Sequence, residues 1–169
     1  MLNREFETER PNQKWVTDIL YIPTAQGNCY LSVIRDLYDN SIVSYQMSKD
    51  MTVKLVLDTI KKAMKKENVA AELQLHSDQG SQYVSHDYFV TTQSYGITPS
   101  MSRCGNSYDN ALAENFFSIL KTECIYRVKL AGYDETSLII SKYIKFYNNY
   151  RIQTKTKLTS LEKRNQFVA

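Results

Sequence analysis

The sequence predicts an α/β fold in which a mixed sheet is flanked by helices, and three observations carry that prediction. Residues 15–47 hold three segments of strand character separated only by the turn pairs Gly27-Asn28 and Asp39-Asn40. Strands joined so closely form an antiparallel meander. Behind them, from Thr52, comes a stretch of helical period, and then a short alternating run, Ala71–His76. A strand that follows a crossover helix returns to the same sheet with right-handed connection, which adds a parallel member to the meander.

The first strand, Trp15–Ile22, sets Val16, Asp18, Leu20 and Ile22 on one face and Trp15, Thr17, Ile19 and Tyr21 on the other. Asp18 thus stands in line with apolar neighbours, where a carboxylate is costly unless hydrogen-bonded or bound to metal. On this residue alone, a strand-end acid paired with a base is an equally good reading. Cys29–Asp36 and Ser41–Met47 complete the meander. Thr52 can cap a helix whose apolar face is Val53, Val56, Leu57, Ile60 and Met64. Its last turns carry Lys61, Lys62, Lys65 and Lys66, which complement the helix dipole and solvate the surface.

The run 71–76 delivers Asp78 to the carboxyl edge of the sheet, where α/β proteins place ligand-binding groups. Helical character resumes over 86–95. Residues 95–107 read as a mobile loop, with Gly96, Pro99 and Gly105 among Ser, Asn and Arg. Asp109 is placed to cap the next helix, 106–124, whose core face is Leu112, Phe116, Ile119 and Leu120. On another face Glu114, Ser118 and Lys121 project together. Past Gly132, Asp134 is placed to cap a helix running to Tyr150, with Ile139, Tyr143, Phe146, Tyr147 and Tyr150 as its packing face. A short helix near 158–165 closes the chain. The organisation expected is an N-terminal arm over 1–13, a core over 14–150 and a basic tail over 151–169.

The bulk numbers narrow the function. A length of 169 residues suits one domain with one sizeable core. No apolar run approaches the ~18 residues of a membrane span, so a cytoplasmic protein is expected. The cysteines, Cys29, Cys104 and Cys124, are odd in number and widely spaced, which favours reduced thiols over a disulfide framework or a zinc site. The net charge of +3 is uneven: Lys and Arg number 11 against 14 Asp and Glu up to Leu120, then 10 against 4. An acidic part followed by a basic one fits a metal site beside a polyanion surface.

Asp78 opens the stretch His76-Ser77-Asp78-Gln79-Gly80-Ser81-Gln82-Tyr83, and 35 residues separate it from Glu114. Three carboxylates shared between two divalent ions suit phosphodiester chemistry, which needs an activated oxygen nucleophile and relief of charge on the leaving oxygen. Spacing alone is weak among 18 acids. The surrounding residues are more specific. Trp15-Val16-Thr17-Asp18-Ile19, the block 76–83, Ser100-Met101-Ser102-Arg103 with Gly105-Asn106, Asp109-Asn110-Ala111 through Glu114-Asn115-Phe116-Phe117 to Leu120-Lys121-Thr122-Glu123, and Tyr147–Gln153 closely resemble the integrase-like catalytic core of bacterial insertion-sequence transposases of the OrfB type. The likeness covers about residues 11–165.

The resemblance implies a ribonuclease-H-like fold with a mixed five-stranded sheet, three antiparallel strands followed by parallel additions. It implies a DDE triad of Asp18, Asp78 and Glu114 binding two Mg²⁺ or Mn²⁺ ions, acting on DNA (element ends and target) in a homo-oligomeric complex, with no membrane. It further implies Lys121, Arg103 and Arg151 as DNA contacts, with His76 and Gln79 shaping the turn around Asp78. A nuclease of the same fold on hybrids or junctions, or an inactive DNA-binding remnant, are the competing readings. Two departures stand out: Thr159-Ser160-Leu161 lacks the proline common at that point, and the chain starts about a dozen residues before its first strand, where the family usually carries a helix-turn-helix. An excised domain or a truncated gene product is the expectation.

Overall fold

The computed structural model describes residues 7–69, 72–102 and 111–168. Five strands, β1 (Lys14–Thr24), β2 (Gly27–Asp36), β3 (Ile42–Ser48), β4 (Gln74–Ser77) and β5 (Thr98–Met101), form one sheet in the order β3-β2-β1-β4-β5. The first three pair antiparallel, while β4 joins β1 and β5 joins β4 in parallel. This is the mixed five-stranded arrangement expected. The hairpin between β1 and β2 is reversed at Gly27, whose φ of +125° is a conformation that side chains rarely permit.

Both sheet faces are covered. On one lie α1 (Val53–Lys66) and α2 (His86–Ser94), which enclose Trp15, Ile34, Val56, Ile60, Leu75 and Tyr88. On the other, α3 (Ala111–Glu123) and α4 (Tyr133–Asn149) pack Phe116, Phe117, Leu120, Ile140 and Tyr147 against Leu20, Ile22, Leu31 and Val33. The period-2 alternation of β1 divides its side chains between these two cores, Trp15 to one and Leu20 and Ile22 to the other. Asp18 shares parity with Leu20 and Ile22, so it stands on the α3 face. No helix among the described residues is long and apolar enough to cross a membrane.

Helix starts follow local chemistry. Thr52 caps α1 by accepting from the Leu55 amide, as expected, and Ser85 caps α2 by accepting from that of Tyr88. At α4 the cap position is Gly132, not Asp134; Asp134 and Glu135 lie inside the first turn, where their charge suits the helix dipole. Gly132 packs beside the Gln26 side chain, which a Cβ there would meet. The expected cap Asp109 lies outside the described residues.

Three other expectations need correction. The stretch 95–107 is not all loop, because β5 occupies Thr98–Met101. A four-residue edge strand containing Pro99 has too little alternation to read, and an edge is where a proline is tolerated. On α4 the buried stripe is Thr136, Ile140, Tyr143, Ile144 and Tyr147, whereas Phe146 and Tyr150 are 45% and 68% exposed. The last helix, α5, runs Ser160–Val168.

The segments expected as arm and tail are tied to the core. Arg164 of α5 reaches Asp39 at 2.6 Å, Asp36 at 3.2 Å and Glu67 at 2.5 Å, and also donates to Asn12. Gln153 donates to the Asp39 carbonyl and to Ser160. Asn12 donates its amide to Asp36.

Candidate active site at the carboxyl edge of β4

The parallel register between β1 and β4 sets the site. Trp15 lies opposite Leu75 and Val16 opposite His76. Two residues further on come Asp18, still on β1, and Asp78, the first residue past the end of β4. Parallel partners two residues past a registered pair share a face, and adjacent strands run about 4.8 Å apart. The two acids are therefore neighbours although 59 residues separate them in the chain.

Each carboxylate is steadied by nearby backbone. Asp78 Oδ1 accepts from the Gly80 amide at 2.8 Å, closing a tight turn as the chain leaves β4. Asp18 Oδ1 accepts from the Ile19 amide at 2.8 Å. Tyr83, whose phenol is buried, belongs to the core on the opposite sheet face. Burial pushes its pKa well above the usual range, and the negative charges of Asp18 and then Asp78 push in the same direction, opposed by the Thr17 hydroxyl.

His76 lies on β4 and Gln79 in the turn that follows Asp78. His76 is buried, its Nδ1 3.0 Å from Ser100 Oγ on β5. Gln79 Nε2 donates to the Ser102 carbonyl at 3.1 Å, and the Ser102 amide donates to the Ser77 carbonyl. The turn holding Asp78 is therefore anchored to the end of β5.

Sequence reasoning assigned no role to Gly80. A Cβ there would stand 2.9 Å from Asp78 Oδ1, the same oxygen that the Gly80 amide holds. Gly80→Ala is expected to displace that carboxylate and lower any activity that uses it by up to about 10²-fold, the scale of a misplacement of about 1 Å. Nicking rates of the two proteins check it; equal rates at equal melting temperature would remove the constraint.

Glu114 is exposed in the first turn of α3, the helix packed on the face that carries Asp18. Ser118 and Lys121 continue its face, the first exposed and the second half-buried. Among the described residues no three His, Cys, Asp or Glu side chains are gathered as a metal site, so the three acids do not close on a common point here. The pair Asp18 and Asp78 offers the oxygen donors that hard divalent cations take.

Arg103 lies outside the described residues. Arg151, expected at phosphate, is instead forked onto Glu123, with Nη2 2.7 Å and Nε 3.0 Å from Oε1, while Tyr143 donates to Oε2 at 2.7 Å. Arg151 and then Tyr143 hold the Glu123 carboxyl below its usual range, against the effect of partial burial. A depressed carboxylate stabilises the fold above its unfolded pKa, and that contribution is lost as pH falls through the folded value. Arg151→Gln is expected to flatten the acid limb of thermal stability below about pH 4.5, the ordinary glutamate value; an unaltered limb in melts from pH 3 to 6 would count against it.

Residues 8–107 match the family model described as an integrase core domain, and residues 114–168 match a second model of the same description. The chain belongs to the integrase core family. This integrase core is 41% identical over 167 residues to the putative transposase InsK of insertion sequence element IS150 from Escherichia coli K12, covering 98% of the chain but 59% of that protein. It is 39% identical to an uncharacterized transposase-like protein of Haemophilus influenzae, covering 93% of the chain and 72% of the relative.

Among solved structures, a chain of the simian T-cell lymphotropic virus intasome superposes with a TM-score of 0.79 at 19% identity, over 94% of this chain and 57% of that one. The HTLV-2 integrase catalytic core domain in complex with magnesium gives 0.71 at 17%, over 94% and 99%. Likeness at such low identity establishes the fold, and the fold of this integrase core is the ribonuclease-H-like one.

Proposed function

We propose that this integrase core is the catalytic unit of an insertion-sequence transposase, cutting DNA and joining the freed end to a target, with Asp18, Asp78 and Glu114 as its acids. The observation that supports the reading is the parallel β1–β4 register, in which Val16 lies opposite His76, each two residues before one of the acids Asp18 and Asp78.

The chemistry is two displacements at phosphorus. In the first, a water oxygen bonds to phosphorus, the bond to the 3′ oxygen breaks, and a free 3′-hydroxyl remains. In the second, that hydroxyl bonds to a target phosphorus and the target's own 3′ oxygen leaves. Asp18, Asp78 and Glu114 would together hold divalent cation, two Mg²⁺ or Mn²⁺ ions, in the working form. The cations supply charge relief and an activated oxygen nucleophile. Gly80 and the β5 anchor keep Asp78 aimed. Lys121, on the face of Glu114, contacts DNA. The working form is a homo-oligomer holding two DNA ends, in the bacterial cytoplasm.

The test is an Mn²⁺-dependent nicking and strand-transfer assay on duplex DNA, run beside an RNA–DNA hybrid and a chelated control. DNA nicks and joined products that vanish on chelation are expected. Cleavage of the hybrid alone would make the chain a nuclease of the same fold, and DNA nicking that survives chelation would remove the metal from the account.

A further inference from the structure

The geometry points to a latent pairing surface on the outer edge of β3, which two lysines of α1 and two side chains of α4 hold closed against a second copy of this chain. The closure is independent of the chemistry proposed for the acids. β3 ends the sheet and pairs with β2 along one side only. An end strand offers its free row of amides and carbonyls as a template for another chain. The seven residues Ile42–Ser48 carry no charge, no proline and no glycine, the composition of segments that self-pair. The opposite end strand, β5, has four residues and a proline, features that already discourage pairing.

Side chains meet the carbonyls of β3 from both sheet faces. Val43, Tyr45 and Met47 are alternate residues, so their carbonyls point to one side of the strand. From α1, Lys66 donates to the Val43 carbonyl at 3.2 Å and Lys62 to that of Tyr45 at 3.2 Å. From α4, on the other face, the Tyr133 hydroxyl donates to the Met47 carbonyl at 2.9 Å. Asn148 stands in for a neighbouring strand at Ile42, accepting from its amide at 2.8 Å and donating to its carbonyl at 2.9 Å.

Charge adds to the closure. Lys62 and Lys66 are four residues apart and so share a face of α1. Lys62 Nζ also lies 4.7 Å from the centre of the Tyr45 ring. Burial first, and then the nearby Lys66, hold its pKa below the usual range. Two like charges are kept at the edge despite that cost. A second copy approaching about a two-fold axis would bring its own pair against them, and like charges across a strand pair are destabilising. The α1 lysines thus do more than solvate a helix end.

The experiment follows sedimentation of the whole chain against concentration, with a cross-β dye and thermal melts alongside. Lys62→Ala/Lys66→Ala opens the edge, and Lys61→Ala/Lys65→Ala removes the same charge from exposed positions in the same turns. A second opening, Lys62→Ala/Tyr133→Phe, keeps the Lys66 charge and decides the matter if the first variant melts early. Either opened variant is expected to form species larger than the wild type's, with a midpoint at least about tenfold lower in concentration and with dye binding. Adding Gln46→Lys places a charge on the half-exposed face of the strand itself and is expected to restore the wild-type mass. Opened variants that sediment as wild type overturn the closure. So does a Lys61→Ala/Lys65→Ala chain that associates as readily, or association that survives Gln46→Lys.

Discussion

Asp78→Asn is expected to abolish nicking and strand transfer, with a loss of at least about 10³-fold, while the melting temperature stays within a degree or two. The size follows from the loss of about 4 kcal/mol of charge stabilisation at the reacting phosphate, at 1.36 kcal/mol per tenfold in rate. The intact fold follows from the turn: asparagine keeps an oxygen that can accept the Gly80 amide now held at 2.8 Å by Oδ1. Asp18→Asn is expected to behave alike, its oxygen replacing the acceptor for the Ile19 amide. Glu114→Gln lies on an exposed helix turn and should leave the fold untouched while removing activity. Calorimetric melts beside Mn²⁺ assays check all three. A variant that still nicks at the wild-type rate would strike its residue from the site.

Arg164→Met is expected to destabilise the fold by about 3–5 kcal/mol, the scale for removing one partner of a buried ion pair. The side chains of Asp36 and Asp39 are both 0% exposed and both face this guanidinium. Burial disfavours the charge of Arg164, but Asp39 and Glu67 outweigh it and raise its pKa. A domain holds only about 5–15 kcal/mol in all, so a drop in Tm of roughly 10 °C should follow.

The pH dependence gives a sharper check. Burial first, and the neighbouring Asp39 second, push the Asp36 carboxyl from 3.8 to about 6. Its folded pKa lies above the unfolded one, so between about pH 4 and pH 6 the native state binds more protons. Its contribution to stability therefore declines as pH rises through that window. Without Arg164 that pKa should climb further, and the variant should recover stability between pH 7 and pH 5. A variant that melts lower at pH 5 than at pH 7 would refute the assignment.

The sheet and its long helices were legible because their periods are long enough to read. β1 alternates through eleven residues, and α1 carries a threonine cap ahead of its apolar face. Asp18 and Asp78 were grouped in advance by the family resemblance; the crossover rule returns the fourth strand to the same sheet, but only the observed pairing sets it beside β1. What escaped was decided by tertiary proximity. β5 is four residues with a proline and declares itself only by pairing with β4. Gly80 matters because of an oxygen 2.9 Å from where its Cβ would be. The Arg164 hub joins groups 97 to 152 residues away in sequence, which no local pattern encodes. Phe146 and Tyr150 looked like core because helical spacing gives a face but not its width.

The parallel pairing of β1 with β4 also sets an order of events during synthesis. A nascent chain that has emerged as far as Ser48 already possesses the whole antiparallel meander, yet it carries Asp18 without a neighbouring acid. The pair comes into being only after the crossover helix has wound and the Gln74–Ser77 segment has docked along Lys14–Val16. The meander by itself therefore cannot bring the two acids together; that juxtaposition waits on a long-range pairing.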